Sequence, residues 1–571
     1  MKIVVAKTAG FCMGVRRAVD MVLDASNLSD KKPLYTYGSL IHNPQVLEML
    51  EEKKIFRLDS IPEKGKGIVL IRAHGVPPED EQALKNAGFT IINATCPRVI
   101  KVQVIIQKYA KKGYSTIIVG DKNHPEVTGL LGYANKKGHT ITNMDQLEKL
   151  PKFDNAVIVA QTTQDSLFYD QIKKWCKIHA PAYKIFDTIC GSTERRQAEI
   201  RKLANENDAV IVVGGKQSGN TKRLAQIAYK AGKPTLHIED VSEVDYNKLS
   251  LSKSIAVTAG ASTPNWIIND TCTKLANSLQ TQHPGLIFLL KIRNFLLHTN
   301  IMAATGAGFL TYACSVLQGF DKYLSHALTA MLYVLSMQIL NNLFMIQSDK
   351  YNNPQKAFFY KNNKLVLWIG AVLSGATGLY LSFTAGIPSF LILLVMSILG
   401  LSYNLRFMHL TVRKKQLNKI KDIPGSKTIL ITIAWSIVTC LLPALVNKNH
   451  FIQVIPAFLF ATCLVFARTA FFDILAIQGD KITGKETLPV ILGEKQSFNI
   501  IQYILVFDIF IILLADFKNI FVNQAFIFAF VPFLMFLLIR FFKNDTNISN
   551  TNKEFIIETS LIWAGLVSFI I

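Results

Sequence analysis

Residues 1–19 read MKIVVAKTAGFCMGVRRAV, and their order sets the pattern for the amino-terminal half of the chain. A short β-branched run, KIVVA, gives way to a turn in which Cys12 stands between Gly10 and Gly14, and a helical pattern follows. The same unit recurs in GIVLIRAHG at 67–75, TIIVGDKNHPEVTG at 116–129, AVIVAQTT at 156–163, AVIVVGGKQSGN at 209–220 and IAVTAGAST at 255–263. Continuous apolar strands alternating with helices predict parallel sheet covered on both faces. In such folds ligands gather beyond the carboxyl ends of the strands.

Those ends carry the reactive residues. Cys12 follows the first run, His42 lies in TYGSLIHNP, His74 follows GIVLIRA and Cys96 follows TIINAT. His124 and Glu126 follow TIIVG, Thr162 follows AVIVA, Cys190 follows KIFDTI, Ser218 and Asn220 follow AVIVV, and Ser262 follows IAVTAG. Any one of them could cap a helix or satisfy a turn. A reactive side chain from nearly every unit predicts one central site.

The eight cysteines include no CxxC pair, which excludes a zinc ribbon or a thioredoxin motif. Thiolates gathered from distant loops suit an iron–sulfur cluster. Held by Cys12, Cys96 and Cys190 alone, a 4Fe–4S cluster keeps one iron open for substrate. Glycines beside Cys12 let the backbone approach such a group, and a helix N-terminus stabilises its negative charge. The loop at 214–220 presents backbone N–H groups to an anion. With Ser262 and three histidines, it predicts a diphosphate guest. Glu126, two residues beyond His124, is the candidate proton source.

Of the 571 residues 50% are hydrophobic, and beyond position 283 they form apolar blocks from 299–317 to 555–571, which predict eight or nine membrane helices. The expected domains are 1–283 and 284–571. The net charge of +22 does not indicate nucleic acid, because many basic residues flank the apolar blocks and no zinc finger or RNA-binding aromatic signature occurs. Lys350, Lys356, Lys361, Arg406, Arg413, Lys414, Lys415, Lys421, Lys481 and Lys485 fall in alternate loops, which predicts that these face the cytoplasm. Arg16, Arg17, Asp20 and Asp24 leave no signal-peptide pattern near the start. The expected location is a multi-pass protein of the cytoplasmic (inner) membrane with its first half in the cytoplasm. Asp473 and Asp480 stand about two helical turns apart, and acidic groups near membrane depth are functional candidates.

The motifs GFCMGVRRAV, IHNPQV, RAHGV, NATCPRV, NHPEVTG, AQTT, TICGSTERRQ, VVGGKQSGNT and TAGASTP occur in this order. Together the first half resembles the LytB-type family of 4-hydroxy-3-methylbut-2-enyl diphosphate reductases. The resemblance implies an α/β fold of three strand–loop–helix lobes around a central iron–sulfur site. It implies that Cys12, Cys96 and Cys190 carry the 4Fe–4S cluster and that the substrate hydroxyl binds the open iron. The diphosphate would be held by His42, His74, His124, Ser218, Asn220 and Ser262, with Gly219, where relatives often carry serine, offering a backbone N–H. Glu126 would supply protons, aided by Thr162, and the products would be isopentenyl and dimethylallyl diphosphate. A reduced ferredoxin or flavodoxin is the implied electron donor.

The segments YNLRFMHL, KIKDIPGSK and GDKITGKETLP make the second half similar to UbiA-type membrane prenyltransferases, all-α bundles in which Mg²⁺ on two aspartate-rich motifs holds a prenyl diphosphate. Asp349, Asp473 and Asp480 are the implied Mg²⁺ ligands. Asn342, Met345 and Ala476 stand where acids are expected, and a thioether is no ligand for Mg²⁺. Several readings stay open: a bifunctional reductase and transferase, a UbiA fold kept as an anchor or lipid-diphosphate binder, a membrane-anchored prenyl diphosphate sensor without turnover, and a transporter. The complete set of cysteines, Glu126 and Thr162 weighs against the sensor, since a pure binder needs no open iron.

Overall fold

Twelve strands build the first half: β1 (Lys2–Val5), β2 (Leu34–Tyr37), β3 (Ile55–Leu58), β4 (Ile68–Ile71), β5 (Thr90–Asn93), β6 (Ser115–Val119), β7 (Gly138–Ile141), β8 (Ala156–Ala160), β9 (Lys184–Ile185), β10 (Ala209–Val213), β11 (Thr235–Ile238) and β12 (Ser254–Ala259). They form three four-stranded sheets, ordered β1-β12-β10-β11, β3-β2-β4-β5 and β7-β6-β8-β9. Every pairing within them is parallel. The computed structural model describes residues 2–28, 32–250, 252–279, 284–320, 324–402, 410–412, 415–417, 425–446, 451–521, 525–544 and 548–569. Arg406, Arg413, Lys414, Lys421 and most of YNLRFMHL and KIKDIPGSK lie outside these residues. The chain divides into two units, Met1–Leu279 and Gln280–Ile571.

The strands that read as continuous apolar runs are buried on both faces because the first and third sheets each pack against two cores. In the first sheet Ile211, Val213, Ile255 and Val257 pack to one side, while Val210, Val212 and Ala256 pack to the other. In the third, Ile117, Val119 and Ile158 oppose Ile118, Val157 and Val159. Adjacent residues face opposite sides of a strand, so a run with no polar member needs cover on both.

The second unit is helical and multi-pass. Among the described residues six helices are long and apolar enough to cross a bilayer, or seven if the bent pair Phe288–His298 and Ile301–Leu317 is one span. Two apolar blocks of the sequence fall outside that count. Ile387–Ser402 has only 16 residues, and the helix Asn550–Val567 carries Lys553, Glu554 and Glu558. Glu558 pairs with Arg468, both buried, and the guanidinium lies 4.8 Å from the ring centroids of Trp435 and Phe472. The pair and its aromatic faces make such a charge tolerable in a helix bundle.

Candidate active site

One edge strand of each sheet runs into one cysteine, and each cysteine precedes a helix. Cys12 leads from β1 to the helix Met13–Leu28. Cys96 follows β5 and caps Pro97–Ala110, and Cys190 follows β9 and caps Gly191–Glu206. Each donates its backbone N–H to the loop beyond the neighbouring strand of its own sheet: Cys12 to Ala261 O at 3.1 Å, Cys96 to Ala73 O at 2.9 Å and Cys190 to Thr162 O at 2.9 Å. The same local construction thus delivers three free, half-buried thiols. They converge within electrostatic range of one another: burial pushes the Cys96 thiol up, and Cys12 and Cys190 raise it further. Helix N-termini oppose this, with the Arg98 and Val99 N–H groups aimed at Cys96 and Val15 N at 3.5 Å from Cys12 Sγ.

The two glycines beside Cys12 do different jobs. Gly10 sits at φ +101°, where a side chain would also strike Asn265. At Gly14 a Cβ would lie 2.5 Å from Cys96 Sγ and 3.1 Å from Cys96 Cβ. Its smallness makes room for the second lobe's thiol.

Next to the thiols lies a pocket of donors. The ring centroids of His42, His74 and His124 are 4.9, 5.3 and 5.8 Å apart. Among the described residues this is the one triad whose ligand atoms all lie within 4.8 Å of one another. Burial lowers the pKa of all three histidines, that of His124 to about 4. As neutral rings they each keep one N–H. Glu126 N donates to His124 Nδ1 at 3.1 Å, which leaves the His124 proton on Nε2. His42 Nε2, His74 Nδ1 and Asn220 Nδ2 are buried without a partner. Ser218 Oγ accepts from Thr221 N at 3.4 Å at the start of the helix Gly219–Lys230. Ser262 Oγ donates to His42 O at 3.1 Å. Gly219 lies against His124, a Cβ there falling 3.4 Å from its ring.

Glu126 is 1% exposed and accepts from Thr162 N at 2.7 Å and Thr162 Oγ1 at 2.9 Å. Burial outweighs both bonds and raises its pKa to about 7. A carboxyl group in that state donates a proton at neutral pH.

In the second unit the acids of the two motifs lie among lysines. Asp473 receives Lys427 Nζ at 2.6 Å on Oδ1 and Thr428 Oγ1 at 2.7 Å on Oδ2. Asp480 Oδ1 receives Asn352 Nδ2 at 3.1 Å and faces Lys485 Nζ at 3.7 Å. Asp349 lies within range of Lys485, Lys356 and Lys427. Lys356 and Lys485, which the loop charges assign to membrane orientation, thus turn toward the acids. Asn342 donates to Asn300 Oδ1 and Tyr360 Oη, both at 3.2 Å. This donor set does not fit the Mg²⁺ ions expected at Asp349, Asp473 and Asp480.

Residues 3–276 match the family model described as LytB protein. A 4-hydroxy-3-methylbut-2-enyl diphosphate reductase of Alkaliphilus oremlandii is 41% identical over 279 residues, covering 48% of this chain and 100% of its own length. The chain belongs to the LytB reductase family. The solved E-1-hydroxy-2-methyl-but-2-enyl-4-diphosphate reductase of Plasmodium falciparum is 30% identical, with a TM-score of 0.46, covering 48% of this chain and 88% of that one. Residues 301–562 match the UbiA prenyltransferase family. A UbiA homolog from Archaeoglobus fulgidus, solved with GPP and Mg²⁺, is 14% identical, with a TM-score of 0.34, covering 48% of this chain and 99% of that one.

Two arginines lie against the candidate site and were not singled out in the sequence. Arg196 is buried, donates to Gly10 O at 2.6 Å and Ala259 O at 3.1 Å, and lies within range of Cys12 and Cys190. Its signal was its phase: it shares a buried helix face with Thr193, Gln197 and Ile200, where a cation is out of place without a task. Arg223 donates to Thr163 O and to Asp121 Oδ1, each at 3.1 Å, and bonds Gln164. It ties the Ser218–Asn220 turn to the loops of the Glu126 lobe.

Proposed function

We propose that the first unit reductively dehydroxylates 4-hydroxy-3-methylbut-2-enyl diphosphate to isopentenyl and dimethylallyl diphosphate, the last step of the non-mevalonate isoprenoid pathway. The second unit is read as a membrane site for prenyl diphosphates. One observation carries the first reading: buried polar nitrogens without partners, His42 Nε2, His74 Nδ1 and Asn220 Nδ2, beside three convergent thiols. Leaving such groups unmet costs about 1–3 kcal/mol each, a cost an anionic ligand removes.

Cys12, Cys96 and Cys190 would hold a 4Fe–4S cluster: they are free thiols at helix N-termini, with the buried Arg196 guanidinium near two of them. Such a cluster would supply electrons one at a time. The protein does the rest. The histidines and Asn220 hold the diphosphate, supported by Ser218, Ser262 and the Gly219 N–H. Thr162 orients the Glu126 carboxyl through two hydrogen bonds. Substrate, two electrons and two protons give product and water: the allylic C–O bond breaks, one proton leaves with the oxygen, and the other forms a C–H bond at either end of the allyl unit. Glu126 is the group placed to deliver protons. Anaerobic purification of the whole chain, iron and sulfide analysis, and assay with a reduced dye test the reading. Bound iron with turnover is expected. An intact, folded sample with neither would sink it.

The electron donor is read as a ferredoxin or flavodoxin. Arg16, Arg98 and Arg195 are exposed in the opening turns of the three helices that follow the cysteines, and Met13 beside Cys12 is 69% exposed. A basic rim with an apolar contact suits an acidic carrier. Raising the salt, or making Arg98→Glu together with Arg195→Glu, should slow carrier-driven turnover about tenfold or more and leave dye-driven turnover little changed. Equal carrier rates in low and high salt would rule out this rim.

Ile387–Ser402 and Asn550–Val567, taken as spans, bring the bundle to the eight or nine helices of the sequence reading. We read the first unit as cytoplasmic, at the inner membrane, a reading the basic loops support.

A further inference from the structure

The Mg²⁺ ions that the UbiA fold implies meet a donor set that does not suit them, and that mismatch has a positive content. Of the six motif positions, Asn342, Met345 and Ala476 offer no carboxylate, and Asp349, Asp473 and Asp480 remain. Mg²⁺ takes hard oxygen ligands in near-octahedral geometry. Here Asn342 points amide hydrogens at Asn300 and Tyr360, so a donor occupies the place of an acceptor. Met345 Sδ receives Lys485 Nζ at 3.5 Å. Both oxygens of Asp473 are bonded. Asp480 Oδ2 is a buried acceptor without a partner, so three carboxylates, two of them paired with lysines, stand where two ions need several oxygen ligands.

Beside the remaining acids stands positive charge. Lys427 and Lys485 reach Asp473 and Asp480 at 2.6 and 3.7 Å, and both act on Asp480 and on Asp349. Lys356, within range of Asp349, also donates to Asn300 Oδ1 at 3.4 Å. Three ammonium groups and three carboxylates therefore share one neighbourhood near the end of the span Ile452–Leu475. The two ion-paired lysine side chains are 22% and 18% exposed, so their heads can reach a ligand on flexible four-carbon stems. An ammonium binds phosphate as a point charge without a fixed coordination geometry.

We propose that the membrane unit binds a prenyl diphosphate without divalent cations, Lys427, Lys485 and Lys356 compensating the phosphates that Mg²⁺ compensates elsewhere in the fold. This rests on the reading of the unit as a prenyl diphosphate site. The test is equilibrium binding of radiolabelled geranylgeranyl diphosphate to the full chain in lipid nanodiscs, in excess EDTA and in millimolar Mg²⁺. The expected Kd is the same in both within about twofold, and Lys427→Ala with Lys485→Ala weakens binding in EDTA by about tenfold or more. The combined change Asn342→Asp, Met345→Asp and Ala476→Asp should make binding depend on Mg²⁺ by a similar factor. Native binding that collapses in EDTA overturns metal independence and leaves the ligand reading standing. No binding in either buffer overturns the ligand reading. A lysine double variant that elutes and melts like the native chain yet keeps its Kd overturns the lysine assignment.

Discussion

Glu126→Gln is expected to lower dye-driven turnover by about 10²–10⁴-fold, the usual range for losing a general acid, with iron and sulfide content unchanged. Glutamine keeps the size of the side chain and an oxygen for the Thr162 N–H, so the loop holding it should survive. What it cannot do is release a proton. Because burial lifts the Glu126 carboxyl to about 7, the protonated form prevails below that pH and disappears above it. Native turnover should therefore fall on the alkaline side with a limb near neutrality, and that limb should be missing from the residual rate of the glutamine variant. An unchanged rate would remove Glu126 from the proton path. A lost cluster would instead make the residue structural.

Cys96→Ala should abolish turnover and strip iron from the protein, because one of three anchoring thiols is gone. Gly14→Ala is the sharper variant, since it leaves every thiol in place. Its added methyl would lie 2.5 Å from Cys96 Sγ and 3.1 Å from Cys96 Cβ, too close for a rotamer change alone to relieve. Overpacking of this kind costs about 1–3 kcal/mol, roughly a five- to 150-fold loss of affinity for the cluster. Iron analysis with circular dichroism reads it directly. Native iron content in Gly14→Ala would mean that Cys96 does not stand where the cluster needs it.

Much of this site could be read from the chain because backbone topology, and not side-chain packing, gathers it. The six apolar runs of the sequence became β1, β4, β6, β8, β10 and β12. The outer strands β3, β7 and β11 drew less notice, being short and in β3 half exposed. Residues after strand ends were legible for the same reason. Gly14 was assigned to the approach of a cluster, whereas its neighbour is a cysteine far away in the sequence. No local pattern reveals that kind of contact. In the membrane unit the loop lysines were read as a set by a topological rule, yet Lys356 lies within range of Asp349 on another helix. Spacing within one helix says nothing of a partner on the next.

The repeated edge-strand construction has a bearing on damage by oxygen. Every lobe would contribute a single sulfur to the proposed cluster, so its loss would unfasten three segments together and leave each otherwise intact. Exposure to air should then loosen amide protection at Met13–Leu28, Pro97–Ala110 and Gly191–Glu206 in concert. Reassembly under reducing conditions should restore all of them at one rate.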